Sequence, residues 1–218
     1  MKKHHVLFVL ALVLFFSCRK DPNPNVDPTG PNVVYVDKFI KNTLYFGAGS
    51  EWIYSSNDGL WDTVTLLDID IDTVQYVDNN GTYIATQEYF TIDYYSTYLI
   101  DNYTLRRNEV WSLNSSILIT IDWKRFGSHI FYKYPSDLNT LYYGSTGRNS
   151  DRMKIVSKDS VQWDGILRAS EKVHYYGWNT NGWEEIEITL VEGVGIVEIY
   201  EPNNQRTWTL NAYNLKNL

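Results

Sequence analysis

Residues 172–192 read KVHYYGWNTNGWEEIEITLVE, and this stretch decides the fold. Asn179-Thr180-Asn181-Gly182 interrupts two runs rich in Val, Ile, Tyr, Trp and Thr. Asn and Gly tolerate the positive φ that a tight hairpin turn demands, and the flanking residue types favour pleated backbone. In the second run Glu184, Ile186, Ile188 and Leu190 alternate with Trp183, Glu185, Glu187 and Thr189. A period of two puts a mostly apolar set on one face and a mostly polar set on the other, the pattern of a half-buried strand. The stretch therefore predicts an antiparallel hairpin over 172–178 and 183–192.

The same punctuation recurs outward from it. Asn57-Asp58-Gly59 separates 51–56 from 60–71, and Asn79-Asn80-Gly81 separates 74–77 from 82–87. Pro202-Asn203-Asn204 separates 195–201 from 207–213, and residues 117–123 and 129–134 form a further pair. Such turn clusters between β-rich runs read as consecutive hairpins. Alanine is scarce, and no window of helical length holds a 3.6-residue period. The stretch 97–113 has room for a short helix. The expected fold is all-β, an antiparallel meander curled into a barrel or half-barrel, with a β-sandwich as the alternative.

The chain starts MKKHHVLFVLALVLFFSC over residues 1–18. Lys2 and Lys3 precede an unbroken apolar run, 6–16, which is shorter than the roughly 20 residues a spanning helix needs. Ser17 then precedes Cys18, the one cysteine in the sequence. This segment resembles a bacterial lipoprotein signal peptide; the other reading is an ordinary signal peptide or an uncleaved anchor. The resemblance implies removal of 1–17 and a diacylglyceryl group, with an N-linked acyl chain such as palmitate, on Cys18. One chain binds membranes only marginally, so stable anchoring takes more than one. Arg19 follows the cysteine, in place of the aspartate that resembles an inner-membrane retention signal, so the outer membrane is expected. Arg19-Lys20-Asp21 loosely resembles a surface-export signal, which leaves the periplasmic and surface sides both open.

Residues 18–32 hold Pro22, Pro24, Pro28 and Pro31, four of the six prolines. They read as an extended tether of roughly 40 Å at about 3.1 Å per residue. Residues 33–218 then form a single β domain, long enough for a sizeable core.

Composition narrows the partners. The formal net charge is −7, and the leader carries two lysines and no acid, so the mature chain is more acidic still. Nucleic-acid affinity rests on Lys and Arg neutralising phosphates, so no nucleic acid is expected. With Cys18 committed to lipid no disulfide is available, and the domain must hold by packing. The 18 Tyr and 8 Trp fit strand preference. They would also suit an apolar ligand, a glycan or an envelope protein as partner. The domain is expected to be a monomer.

Candidate chemistry is sparse. Asp68, Asp70 and Asp72 share the odd spacing of a calcium loop, but Thr73 and Asn79 stand where such a loop needs Gly and Glu. The isoleucines between them give strand alternation, so a solvated strand face is expected, with a weak calcium site as the rival. Asp62-Thr63-Val64, Asp72-Thr73-Val74 and Asp159-Ser160-Val161 resemble O-glycosylation acceptors at Thr63, Thr73 and Ser160. The only histidines past the leader are His129 and His174, too few for a zinc cluster. Gly127-Ser128-His129 is expected in a loop, no G-x-S-x-G is present, and Gly144-Ser145-Thr146-Gly147 lacks the lysine of a phosphate loop. Glu184, Glu185 and Glu187 beside Trp183 could serve a glycosidase, but adjacent glutamates on a strand read as a solvated face. No catalytic residue, metal or cofactor is expected, and a hydrolase is the outside alternative.

Phe46-Gly47-Ala48-Gly49-Ser50-Glu51-Trp52-Ile53-Tyr54 resembles the F-x-x-G-x-x-W-x-Y opening of a broad group of uncharacterised bacterial lipoproteins. Gly193-Val194-Gly195-Ile196-Val197, then Leu210 and Tyr213, resembles the group's close. Trp163-Asp164-Gly165-Ile166-Leu167 is similar to a segment between them. The chain departs from the pattern at Phe46-Gly47, where proline is common, and its middle, 88–150, has no counterpart. The resemblance implies a curved antiparallel sheet akin to periplasmic half-barrels that hold acyl chains, and it implies no catalytic residues. Gly49, Trp52, Tyr54, Gly193 and Gly195 are expected to be structural.

Cys18→Ala is expected to release the chain from membranes and to abolish acyl labelling. Fractionation with radiolabelled palmitate checks this. Undiminished membrane retention without label at residue 18 would mean that the apolar run itself is the anchor.

Overall fold

The computed structural model describes residues 33–77, 83–99, 108–113, 116–122, 129–134, 137–143, 152–179 and 182–218. Its strands are β1 (Val33–Val34), β2 (Glu51–Ser56), β3 (Trp61–Val77), β4 (Tyr83–Tyr95), β5 (Asn108–Leu113), β6 (Ser116–Asp122) and β7 (His129–Tyr134). The second half adds β8 (Leu141–Tyr143), β9 (Arg152–Trp163), β10 (Ile166–Asn179), β11 (Gly182–Val191), β12 (Gly195–Glu201) and β13 (Arg206–Asn214). One helix, α1 (Lys38–Leu44), lies between β1 and β2, and a 3₁₀ turn, Pro202–Asn204, links β12 to β13.

All the strands belong to one sheet, in the order β7-β6-β5-β4-β3-β2-β13-β12-β11-β10-β9-β8, with β1 added parallel to β4. The sandwich alternative does not hold, because a sandwich needs two sheets. The antiparallel pairing of β2 with β13 joins the first long strand to the last. The meander thus runs outward in both directions from a central seam made by the chain's two ends. It curls until β7 comes near β9 and β10. No described pairing joins β7 to β8, so the barrel stays open as a half-barrel.

The expected hairpin forms over β10 and β11, with Trp178 opposite Trp183 and Tyr175 opposite Ile186. Ile186, Ile188 and Leu190 are buried, as their alternation predicts. One expectation shifts: residues 61–71 and 74–77 belong to one strand, β3. The expected pair over 117–123 and 129–134 forms as β6 and β7, with His129 at the start of β7 opposite Asp122. The Asn79-Asn80-Gly81 turn lies outside the described residues.

Helix α1 was not legible from periodicity, because seven residues make only two turns. The local signal is its cap: the Asp37 side chain accepts from the Phe39 N–H at 2.7 Å, satisfying a donor the helix leaves unpaired. Ile40, Thr43 and Leu44 then face the core. Lys41 pairs with Glu88 of β4, whose carboxylate also accepts from the Val36 N–H at 2.9 Å. Of the stretch 97–113, residues 108–113 form β5, and the described start, 97–99, is a bend rather than a helix.

Asp62 is the most constrained carboxylate of the fold. It is buried on β3 and accepts from Ser96 Oγ at 2.6 Å and from the N–H groups of Thr97, Tyr98 and Leu99 at 2.9, 3.2 and 2.9 Å. These bonds hold the bend after β4 and seat Leu99 in the core. A buried donor left without its acceptor costs about 1–3 kcal/mol. Asp62→Ala should therefore lower stability by at least about 2–3 kcal/mol, and Asp62→Asn, which keeps one oxygen, by less. Urea denaturation checks this; equal midpoints for Asp62→Ala and the parent would refute it.

Candidate functional site

The opening and closing motifs meet in space. Trp52 lies on β2 and is 4% exposed. Its Nε1 donates to the Val194 carbonyl at 2.6 Å, and two residues on, the Tyr54 hydroxyl donates to the Ile196 carbonyl at 2.8 Å. Gly195 has φ +106°, and a Cβ there would stand 3.0 Å from Trp52 Nε1. Glycine is needed both for that backbone angle and for the indole's approach. Gly193, at φ +72°, donates its N–H to the Asn42 carbonyl at the end of α1, at 2.7 Å. Gly49, at φ +82°, donates to Leu66 at 2.8 Å and turns the chain into β2. Phe46 and Tyr94 meet the indole edge-on, with ring centroids 5.4 and 6.1 Å away. Burial pushes the Tyr54 and Tyr94 hydroxyl pKa values well above the usual phenol range.

Below α1, Thr43, Trp52, Tyr54, Tyr94, Leu99 and Gly195 surround a cavity of about 30 Å³. A water-sized probe takes roughly 10–15 Å³, so the cavity has room for about two or three waters and none for an acyl chain. The resemblance to acyl-chain half-barrels implies a concave sheet face open to a ligand. Among the described residues the rings instead fill that interior.

A larger space lies at the rim. A cleft of about 620 Å³ opens between α1, the β9–β10 hairpin and the C-terminal segment. Tyr45 and Phe46 form one wall, Ile166 and Leu167 another, and Lys41, Arg168, Glu192 and Lys216 supply the charges. Ile166 and Leu167 are 54% and 68% exposed, high for aliphatic side chains beside a fold's own core. They follow a tight turn in which Asp164 and Gly165 take φ of 49° and 78°. The Tyr213 hydroxyl donates to Asp164 and fixes that turn. Burial, then the Asp164 hydrogen bond and charge, raise the Tyr213 pKa. The middle motif thus reaches the closing one, and its far end becomes a wall of the cleft. Arg168 and Glu192 carried no sequence signal. They meet because β10 pairs with β11, where the Glu192 N–H donates to Ala169 at 2.9 Å.

Other sequence candidates lie apart from this region. Cys18 is outside the described residues, as are Ser128 and the 144–147 segment. Asp68, Asp70 and Asp72 are exposed on β3. Leu67 is bulged out of the register with β4, which shifts the phase of the strand and turns the aspartates outward. Asp68 and Asp72 each accept from the following N–H, and Asp93 stands opposite Asp68. Among the described residues no three His, Cys, Asp or Glu side chains converge as a metal site. Thr63, Thr73 and Ser160 are exposed. Glu185 and Glu187 flank His174, at 3.5 and 3.8 Å from its two ring nitrogens, and the Tyr176 hydroxyl lies 3.0 Å from Nδ1. Tyr176's pKa is raised by burial and then by the two glutamates, a setting unlike an activated phenol.

Trp52→Ala should cost about 3–5 kcal/mol for removing a buried indole, and Gly195→Val should destabilise through its backbone angle. Thermal denaturation of each variant checks this; an unchanged midpoint for Trp52→Ala would remove the indole from the core.

No family model matches the chain, and no curated protein matches it. A solved structure described as a "putative lipoprotein" from Parabacteroides distasonis is similar over 79% of this chain and 99% of its own, at 12% identity and a TM-score of 0.35.

Proposed function

We propose that this chain is an outer-membrane lipoprotein, anchored through acylated Cys18, whose half-barrel is a non-catalytic binding module for an apolar or acyl ligand. The rim cleft carries the ligand reading. Its volume lies within the roughly 300–1,000 Å³ of small-molecule sites, and its walls combine apolar side chains, Tyr45, Phe46, Ile166 and Leu167, with the charged Lys41, Arg168, Glu192 and Lys216. The segment after the tether leads directly into α1, whose Lys41 borders the cleft. A tether of roughly 40 Å would leave the cleft within reach of the membrane that holds the lipid anchor. The anchor itself rests on the sequence of residues 1–18.

A second reading, a glycan- or protein-binding surface, is favoured by Trp61 and Tyr95, exposed at 61% and 48% near one end of the β3–β4 pair. Stacking on sugar or protein would use such rings.

The test uses residues 19–218, which lack the leader and the lipid-bearing Cys18. This polypeptide should bind a fluorescent fatty acid such as parinaric acid saturably, and Leu167→Asp should weaken binding while Trp61→Ala should not. Saturable glycan binding lost in Trp61→Ala, with no fatty-acid binding, would replace the first reading by the second.

A further inference from the structure

We infer that the rim cleft recognises an anionic head group through Arg168, which makes its ligand an anionic amphiphile: an acyl chain bearing a carboxylate or a phosphate. The inference rests on the apolar-ligand reading above and names the ligand's chemistry.

The turn between β11 and β12 is shaped to admit a guanidinium. Arg168 Nη1 donates to the Glu192 carbonyl at 3.1 Å. A Cβ at Gly193 would stand 2.3 Å from that same Nη1, so a side chain at 193 would occupy the guanidinium's place. The seat fixes one edge of the group against the backbone. Along the other edge, Arg168 Nε is buried and has no hydrogen-bond partner. A buried donor on a charged group without an acceptor is unfavourable; Nε has no surface open to the cleft, so an anion there would be met by the part of the Arg168 side chain that lines it.

The charges around it leave the guanidinium without an acid partner among the described residues. Glu192, whose carbonyl seats the guanidinium, turns its Oε1 to the Asn42 amide, at 2.7 Å. Lys41 is occupied by Glu88. Among the described residues, neither Arg168 nor Lys216 forms an ion pair, and Lys216 Nζ reaches only the Asn214 amide oxygen, at 3.3 Å. Carboxylate and phosphate both match a planar guanidinium edge with two parallel bonds, and Lys216 would add a point charge. The apolar walls at Tyr45, Phe46, Ile166 and Leu167 then receive the chain. This division of labour, a few fixed polar groups and an apolar lining, gives orientation as well as affinity.

The test compares head groups on one chain length. Laurate, dodecyl phosphate and dodecanol are titrated below their aggregation limits against residues 19–218 by displacement of parinaric acid. Laurate and dodecyl phosphate should bind at least about tenfold more tightly than dodecanol, a difference of about 1.4 kcal/mol. Arg168→Gln should erase that preference while leaving dodecanol binding unchanged, and Arg168→Lys should restore part of it. The comparison on the unaltered protein needs no variant, so a poorly folding Arg168→Gln cannot protect the idea. Equal binding of all three head groups overturns the role of Arg168 and leaves the apolar-ligand reading standing. Binding of none of them, in free form or in vesicles, overturns both. Flotation with phosphatidylcholine vesicles, with and without phosphatidylglycerol, separates the sources. Arg168-dependent binding to anionic vesicles alone assigns the same chemistry to a bilayer head group, and binding of the free amphiphiles assigns it to a soluble ligand.

Discussion

The buried indole of Trp52 ties the first long strand to the turn that opens β12, 142 residues away in the sequence. Its N–H has one acceptor, the Val194 carbonyl, and its ring lies where any residue but glycine at 195 would intrude. Burial of the ring removes a large apolar area from water, and the N–H must then be satisfied inside. The seam between β2 and β13 forms around this contact. Both arms of the sheet grow outward from the seam, so the curl of the half-barrel depends on it. Long-range closure of this kind carries a high entropic cost, which a single well-packed aromatic anchor helps to offset.

The same packing moves open space outward. A curled sheet of this width could leave a lumen, but Trp52, Tyr54, Tyr94 and Leu99, with Leu44 from α1 above them, fill it down to about 30 Å³. Space for a ligand appears where elements end rather than where they pair. The rim cleft lies where α1, a hairpin tip and the C-terminal segment come together. The hairpin tip presents Ile166 and Leu167 because Tyr213 holds Asp164 from the neighbouring motif.

The polar groups inside the fold act as fasteners. Asp62 gathers four donors from the bend after β4, and Glu201, buried at the end of β12, accepts from Trp208 Nε1 and Asn204 Nδ2, each at 3.0 Å. Burial pushes the Glu201 pKa up against the lowering effect of those two bonds. Both acids stand in strands whose alternation reads only as inside or outside, so neither role shows in the sequence. Asp62 was legible there only as part of the acceptor-like tripeptide at Thr63, and Thr63 itself is exposed while Asp62 is buried.

The sequence by itself determined the all-β class, the β10–β11 hairpin and the buried face of β11, because turn chemistry and a period of two are local properties. It also carried the whole case for lipid attachment at Cys18. Tertiary structure decided between one sheet and two, and it decided which ends meet, since strand order depends on pairings between distant residues. It revealed α1, whose two turns are too short for a period, and the Leu67 bulge, which turned the aspartates outward through one unpaired residue. It alone brought Arg168 to Gly193. Twenty-five positions apart, they become neighbours only because two antiparallel strands fold back on each other, and no local pattern encodes which residues that pairing places side by side.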